Sequence, residues 1–180
     1  MKKPIVLCML SFTAFTVMRC YGGEDACADV HIPAPIRSAI EGRFPSWQIV
    51  KVRDLRSDDQ KLWLQAHKEE CPGIAIGHFE GAAITSHAVT LFRSAPTLQQ
   101  ILLVVSPNPA GKPRVHILSK PQHVAFLSVV YKTPSGNYSE VEGGATINVR
   151  NEAVVHEGIE AGSVLFYFLN GKYRSLITSE

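Results

Sequence analysis

The chain has 180 residues, 46% of them hydrophobic and 19% charged, which are the proportions and length of one globular domain. Its formal net charge is +2, from 18 basic and 16 acidic residues, but Lys2, Lys3 and Arg19 all belong to the N-terminal segment, and without them 15 bases face 16 acids, a net −1. No block of basic residues remains, which excludes the electrostatic footprint of a nucleic-acid binder.

In chain order, Lys2 and Lys3 precede an apolar run at 4–18, and small residues follow at Gly22, Gly23, Ala26 and Ala28. This pattern reads as a secretory signal over residues 1–22, with 28 as the later alternative cleavage position. The run is too short for a membrane span, so no stable span is expected after cleavage. A single mature domain over 23–180 follows, placed in the periplasm or secreted. Of the four cysteines, Cys8 and Cys20 fall in or beside the signal, leaving Cys27 and Cys71. In an oxidising compartment two remaining cysteines pair, so a Cys27–Cys71 disulfide is expected.

"PIRSAIEGRF" spaces Ile36, Ala39, Ile40 and Phe44 as one helical face, with Pro35 suited to the first turn and Pro45 to the exit. "QIVKVRDL", residues 48–55, alternates as a short strand whose better buried side carries Val50 and Val52. A second helix is expected from Ser57. Gln60 stands at capping-box spacing from it, and Asp58 and Asp59 occupy the first turn. Leu62, Trp63 and Ala66 form its expected buried side, and Pro72-Gly73 its end.

From Ser86 onward the pattern is a series of short apolar or alternating runs, separated by turn residues at 107–111, 135–137 and 143–144. The strongest turn signal is Asn170-Gly171 between two strand-like runs, which reads as a two-residue hairpin. The preceding strand places Val164, Phe166 and Phe168 on one face and Leu165, Tyr167 and Leu169 on the other. Both faces are apolar, so this strand is expected to be central and covered on both sides. The fold class is α+β: a mainly antiparallel sheet with one or two N-terminal helices packed on one face.

The stretch "CPGIAIGHFEGAAITSHA", residues 71–88, concentrates the residues with chemical potential. Gly77, Phe79, Gly81 and Ala88 match the glycine, phenylalanine and alanine positions of the FG-GAP repeat loop, and residues 77–88 resemble a single degenerate copy of that integrin-like family. His78, Ala82 and Ser86 stand at its calcium-binding aspartates, and Glu80 at its asparagine. The resemblance implies a retained loop shape without the ion, since Glu80 alone supplies a carboxylate where calcium needs several oxygens. One copy cannot build a propeller. His67, Cys71, His78 and His87 match no zinc spacing, and a disulfide removes the Cys71 thiolate. No cofactor is expected. Cys71 with His67 or His78 would make a thiolate–base pair only if Cys71 were free. His156, Glu157 and Glu160 form a small acid/base group, but alternation sends His156 and Glu157 to opposite faces, as at a solvated strand end. The stretch therefore reads as a structural corner held by a disulfide.

Trp47, Tyr131, Tyr138 and Tyr173 lie in or beside turns and polar runs, where aromatics serve as interface anchors. "SPNPAGKP", residues 106–113, reads as a long proline-rich connection. The expected function is that of an exported, non-enzymatic binding protein of the bacterial envelope, inhibitor- or immunity-like, whose partner is a protein or another envelope macromolecule. The alternatives are a hydrolase using Cys71 or His156, and a structural accessory domain.

Overall fold

The computed structural model describes residues 26–144 and 146–179. The apolar run read as a signal, with Cys8 and Cys20, lies outside the described residues. The fold is α+β and dominated by antiparallel sheet.

Helix α1, Ala34–Arg43, begins with proline in its first turn and buries Ile36 and Ile40, the periodic residues of the sequence reading. The segment expected as a strand over 48–55 is divided. Strand β1 is only Gln48–Ile49, and Val52–Asp54 form a 3₁₀ turn. The Lys51 N–H donates to the Asp54 carboxylate at 2.9 Å, a local bond that competes with strand pairing. Val50 is nonetheless fully buried. Helix α2, Ser57–His67, starts one residue earlier than a Ser57 cap would require, and no side chain caps it. Gln60 instead bonds the Leu55 carbonyl at 2.9 Å, and Asp59 holds Arg56 through two bonds of 2.7 and 2.9 Å. The expected buried side of α2 holds at one of its three residues. Trp63 is buried, with Asp59 beside it, but Leu62 is 37% exposed and Ala66 also faces outward. The helix stops at Lys68, whose φ of 44° leaves the helical region before Pro72-Gly73 is reached.

The strands follow as β2 Ile74–Gly77, β3 Ser86–Arg93, β4 Gln99–Asn108, β5 Gly111–His123, β6 Val129–Thr133, β7 Gly136–Ser139, β8 Thr146–Val149, β9 Ala153–Gly158, β10 Gly162–Leu169 and β11 Lys172–Ser179. Not one sheet but three result. The first runs β1-β3-β4-β5 with β2 also paired to β3, the second β11-β10-β9-β6, and β7-β8 form a ribbon of their own. The 107–111 connection is tighter than its prolines suggested: Asn108 pairs with Gly111, so only Pro109 and Ala110 lie between. Asn170 and Gly171 both take positive φ, 51° and 81°, joining Leu169 to Lys172 as the two-residue turn expected of them. Strand β10 is central in its sheet, between β9 and β11.

β3 and β4 are buried along most of their length, and alternation divides their side chains between two cores. Val89, Leu91, Ile101, Leu103 and Val105 pack beneath α1 with Ile36, Ile40, Ile74 and Cys71. Ala88, Leu102 and Val104 face the second sheet, meeting Val130, Val154 and Phe166 with Ala75 and Phe79. Trp63 of α2 closes one end with Val50, Leu55, Leu127, Val129 and Ile159. The outer face of the second sheet is covered by β7 and β8 around Val155, Leu165 and Leu176. The sheets are tied at a corner: Val130 N–H donates to Pro72 O at 2.7 Å and Thr90 N–H to Gly73 O at 2.9 Å. A side chain on Gly73 would meet the Val50 carbonyl at 2.3 Å, so only glycine allows this backbone approach.

Cys27 and Cys71 are disulfide-bonded across 44 residues, and Cys71 sits in the α1 core. Loop entropy makes a link of this span worth about 2–4 kcal/mol. Cys27→Ser/Cys71→Ser is therefore expected to lower the free energy of unfolding by that amount in urea titrations. The wild-type protein should show the same loss on reduction, and the double variant should be insensitive to reductant.

Candidate functional site

Two polar arrangements stand out. The first grows from residues 77–88. Gly77 ends β2, where an added Cβ would press on the Phe79 ring at 2.7 Å. That contact puts Phe79, fully buried, into the intersheet core and turns the next side chain, Glu80, inward with it. The Glu80 side chain is 1% exposed and is met from three strands. Ser106 Oγ of β4 donates to its Oε1 at 2.6 Å, and Ser86 Oγ of β3 lies 2.8 Å from Ser106 Oγ. Arg114 of β5 donates to Oε2 at 2.6 Å, and Tyr173 of β11 reaches Oε1 at 3.4 Å. His116 Nε2 lies 3.5 Å from Oε1, too poorly aligned to bond, and its ring packs against Tyr173 and Phe168. Burial, then the Glu80 charge and hydrogen bond, push the Tyr173 phenol far above its ordinary value. It stays a neutral donor. The loop backbone is held as well: His78 N–H donates to Glu152 at 2.6 Å, and that bond, helped by Lys132, holds the Glu152 carboxyl below its usual range. The carboxylate that would serve a loop-bound cation is thus spent inside, against a guanidinium. Among the described residues no three His, Cys, Asp or Glu side chains are grouped to hold a metal.

The second arrangement is an open groove of about 480 Å³ on the outer face of the second sheet. Leu62, Trp63, Gln65, Ala66 and His67 of α2 form one wall, and Val129, Glu157, Ile159 and Glu160 the other. The His67 ring stacks on Trp63 at 4.0 Å between centroids and lies 4.8 Å from Tyr131. Trp63 Nε1 donates to Glu70 O at 3.0 Å, and His67 Nδ1 lies 3.2 Å from the Glu70 carboxylate. Tyr131 donates to Glu157 Oε2 at 2.6 Å; burial first, then that bond, raise the phenol's pKa.

The acid/base group of the sequence reading is divided between these surroundings. Glu157 and Glu160 line the groove, whereas His156, on the opposite face of β9, points between the sheets. It is not at a solvated strand end: Nε2 is sealed from solvent without a partner, and burial lowers the ring's pKa to about 4. The disulfide at Cys71 removes the thiolate that a cysteine nucleophile requires. Of the aromatics expected as interface anchors, Trp47 packs beside α1 and under Arg93, Tyr138 beneath β8 and Tyr173 on Glu80. They do not form one surface, and Tyr131 alone stands at the groove. Arg114 and Ser106 were missed; the signal available was the alternation placing Arg114, His116 and Leu118 on one face of β5.

Comparison with family models, with curated proteins and with solved structures returned no match.

Two outcomes follow. Arg114 is about half exposed and Glu80 is buried, so the two halves of the pair are unequal. Arg114→Met strands a buried carboxylate and is expected to cost on the order of 3 kcal/mol in urea unfolding at pH 7, against about 1 kcal/mol for Glu80→Gln, which leaves the guanidinium free to turn to water. Equal costs would contradict the asymmetry. The second concerns pH. The folded pKa of His156, about 4, lies below its ordinary 6.5, so protons bind the unfolded chain preferentially. The associated stability is complete above pH 6.5 and is lost as pH falls toward 4. The loss is up to about 3 kcal/mol at 1.36 kcal/mol per pH unit. His156→Leu should shrink this limb, leaving the share of His87, whose pKa burial also lowers, and the later loss from Glu152, as read by unfolding midpoints between pH 7 and 3.5.

Proposed function

We propose that this chain is an exported, non-enzymatic binding protein of the bacterial envelope, of inhibitor or immunity type, which holds a protein partner at the groove beside α2. The observation that carries this reading is the groove's rim. Leu62, which lines the groove, is 37% exposed on a helix whose interior contact is made by Trp63. A helix anchored by one aromatic residue, with Leu62 and Ala66 left outward along an open cavity, suits a contact surface better than a core element. The disulfide accords with an oxidising compartment, and no helix among the described residues is long and apolar enough to cross a membrane.

A photo-crosslinking residue at Gln65, in the groove, and another at Lys172, on the β10–β11 turn, test the reading in envelope extract. A discrete adduct from position 65 alone, abolished by Leu62→Asp in a protein with unchanged melting temperature, is expected. Identical adducts from both positions, or one indifferent to Leu62→Asp, would overturn it.

A further inference from the structure

We infer that the groove receives a lysine or arginine side chain projecting from that partner, an assignment that rests on the reading above. The chemistry of the lining is asymmetric. Leu62, Trp63, Ala66, Val129 and Ile159 offer apolar walls, while Glu157 and Glu160 supply two carboxylates and no lysine or arginine among the described residues lines the cavity. Such a lining matches the two parts of a long basic side chain, whose methylene stem seeks apolar surface and whose head seeks an acceptor.

Glu157 is the decisive residue. It is half-buried beside Val129 and Ile159, and its hydrogen-bond donor is the neutral Tyr131 hydroxyl. A phenol compensates a carboxylate less than a cation does, so a partly desolvated charge is left without its counter-ion. The nearby cations are committed elsewhere. Arg56, the cation whose charge feels Glu160, is held by Asp59 in a two-bond contact and lies over the Phe126 ring at 4.7 Å. Lys61 pairs with Asp58 and Lys132 with Glu152. Charge complementarity therefore selects a cation from outside the chain, and the open, apolar-rimmed cavity selects one carried on a protein surface.

The probes are N-acetyl-arginine methylamide and N-acetyl-lysine methylamide, against the uncharged citrulline and norleucine derivatives, titrated into the full-length mature protein and followed by amide NMR. The charged probes should bind with Kd on the order of 1 mM, as groups of this size do. Their shifts should be confined to α2, β9 and the β9–β10 turn, and the neutral probes should bind at least about fivefold more weakly. Glu157→Gln and Glu160→Gln, which keep shape, should each weaken the charged probes by about fivefold, the scale of a partly exposed ion pair, and leave the neutral probes unchanged. Equal binding of arginine and citrulline derivatives, shifts elsewhere, or no binding overturns the cation assignment. The same Gln variants in the Gln65 crosslinking assay separate the two readings. An adduct lost with Leu62→Asp but kept with both Gln variants leaves the binding site standing and removes the cation. An adduct indifferent to Leu62→Asp removes the binding site itself.

Discussion

The rest of the structure answers to one constraint: β3 and β4 are apolar on both faces. A sheet whose central strands carry Val89, Leu91, Ile101 and Leu103 on one side and Ala88, Leu102 and Val104 on the other must be covered twice. Helix α1 covers one side and is fastened there by the Cys27–Cys71 link, whose second cysteine is itself a core residue. The second sheet covers the other side. That sheet then has an outer face of its own, which β7 and β8 cover at one end and α2 approaches at the other. The groove lies where this last layer is incomplete.

The polar residues of the interior are placed by the same demand. Burying a carboxylate without partners would cost several kcal/mol, and Glu80 is tolerated because Ser106, Arg114 and Tyr173 converge on it. Their convergence brings β4, β5 and β11 onto one loop, so the cluster joins the margins of two sheets that share no backbone pairing there. Gln100 acts similarly at the opposite end. Its buried side-chain amide exchanges two hydrogen bonds with the Ser128 backbone, at 2.7 and 2.9 Å, in the manner of a paired strand residue. His156 is one of the uncompensated members of this interior, with a buried ring nitrogen that has no partner: its neutral ring is accepted between the sheets, and a second proton is not.

The two arrangements differ in a way that bears on function. Around Glu80 the charges are matched within the chain, and the seryl and tyrosyl donors are consumed by the carboxylate they surround. Around Glu157 the donor found among the described residues is a neutral phenol, and Leu62 of α2 is left facing outward. The first is a completed interaction and the second an open one. That contrast, more than the identities of the residues, distinguishes the structural corner from the groove proposed above as a contact surface, since both contain a glutamate, a tyrosine and a histidine.

Much of this was legible in the sequence because it is encoded within short windows. The α1 period, the Asn170-Gly171 turn, the central position of β10 and the antiparallel α+β class each follow from side-chain periodicity or from the φ values a residue tolerates. The disulfide followed from counting cysteines. Resemblance of residues 77–88 to a calcium loop drew attention to Glu80, but no local pattern reveals that it turns inward to meet Tyr173, 93 residues away. The split of 48–55 into strand and 3₁₀ turn goes with the Asp54 side-chain bond and the two backbone bonds that close the turn, and the outward leucines of α2 lie where no described layer covers them. Periodicity states which side chains share a face; only the folded chain decides whether that face meets a core, a water-filled groove or another molecule, because burial is set by contacts between segments distant in sequence.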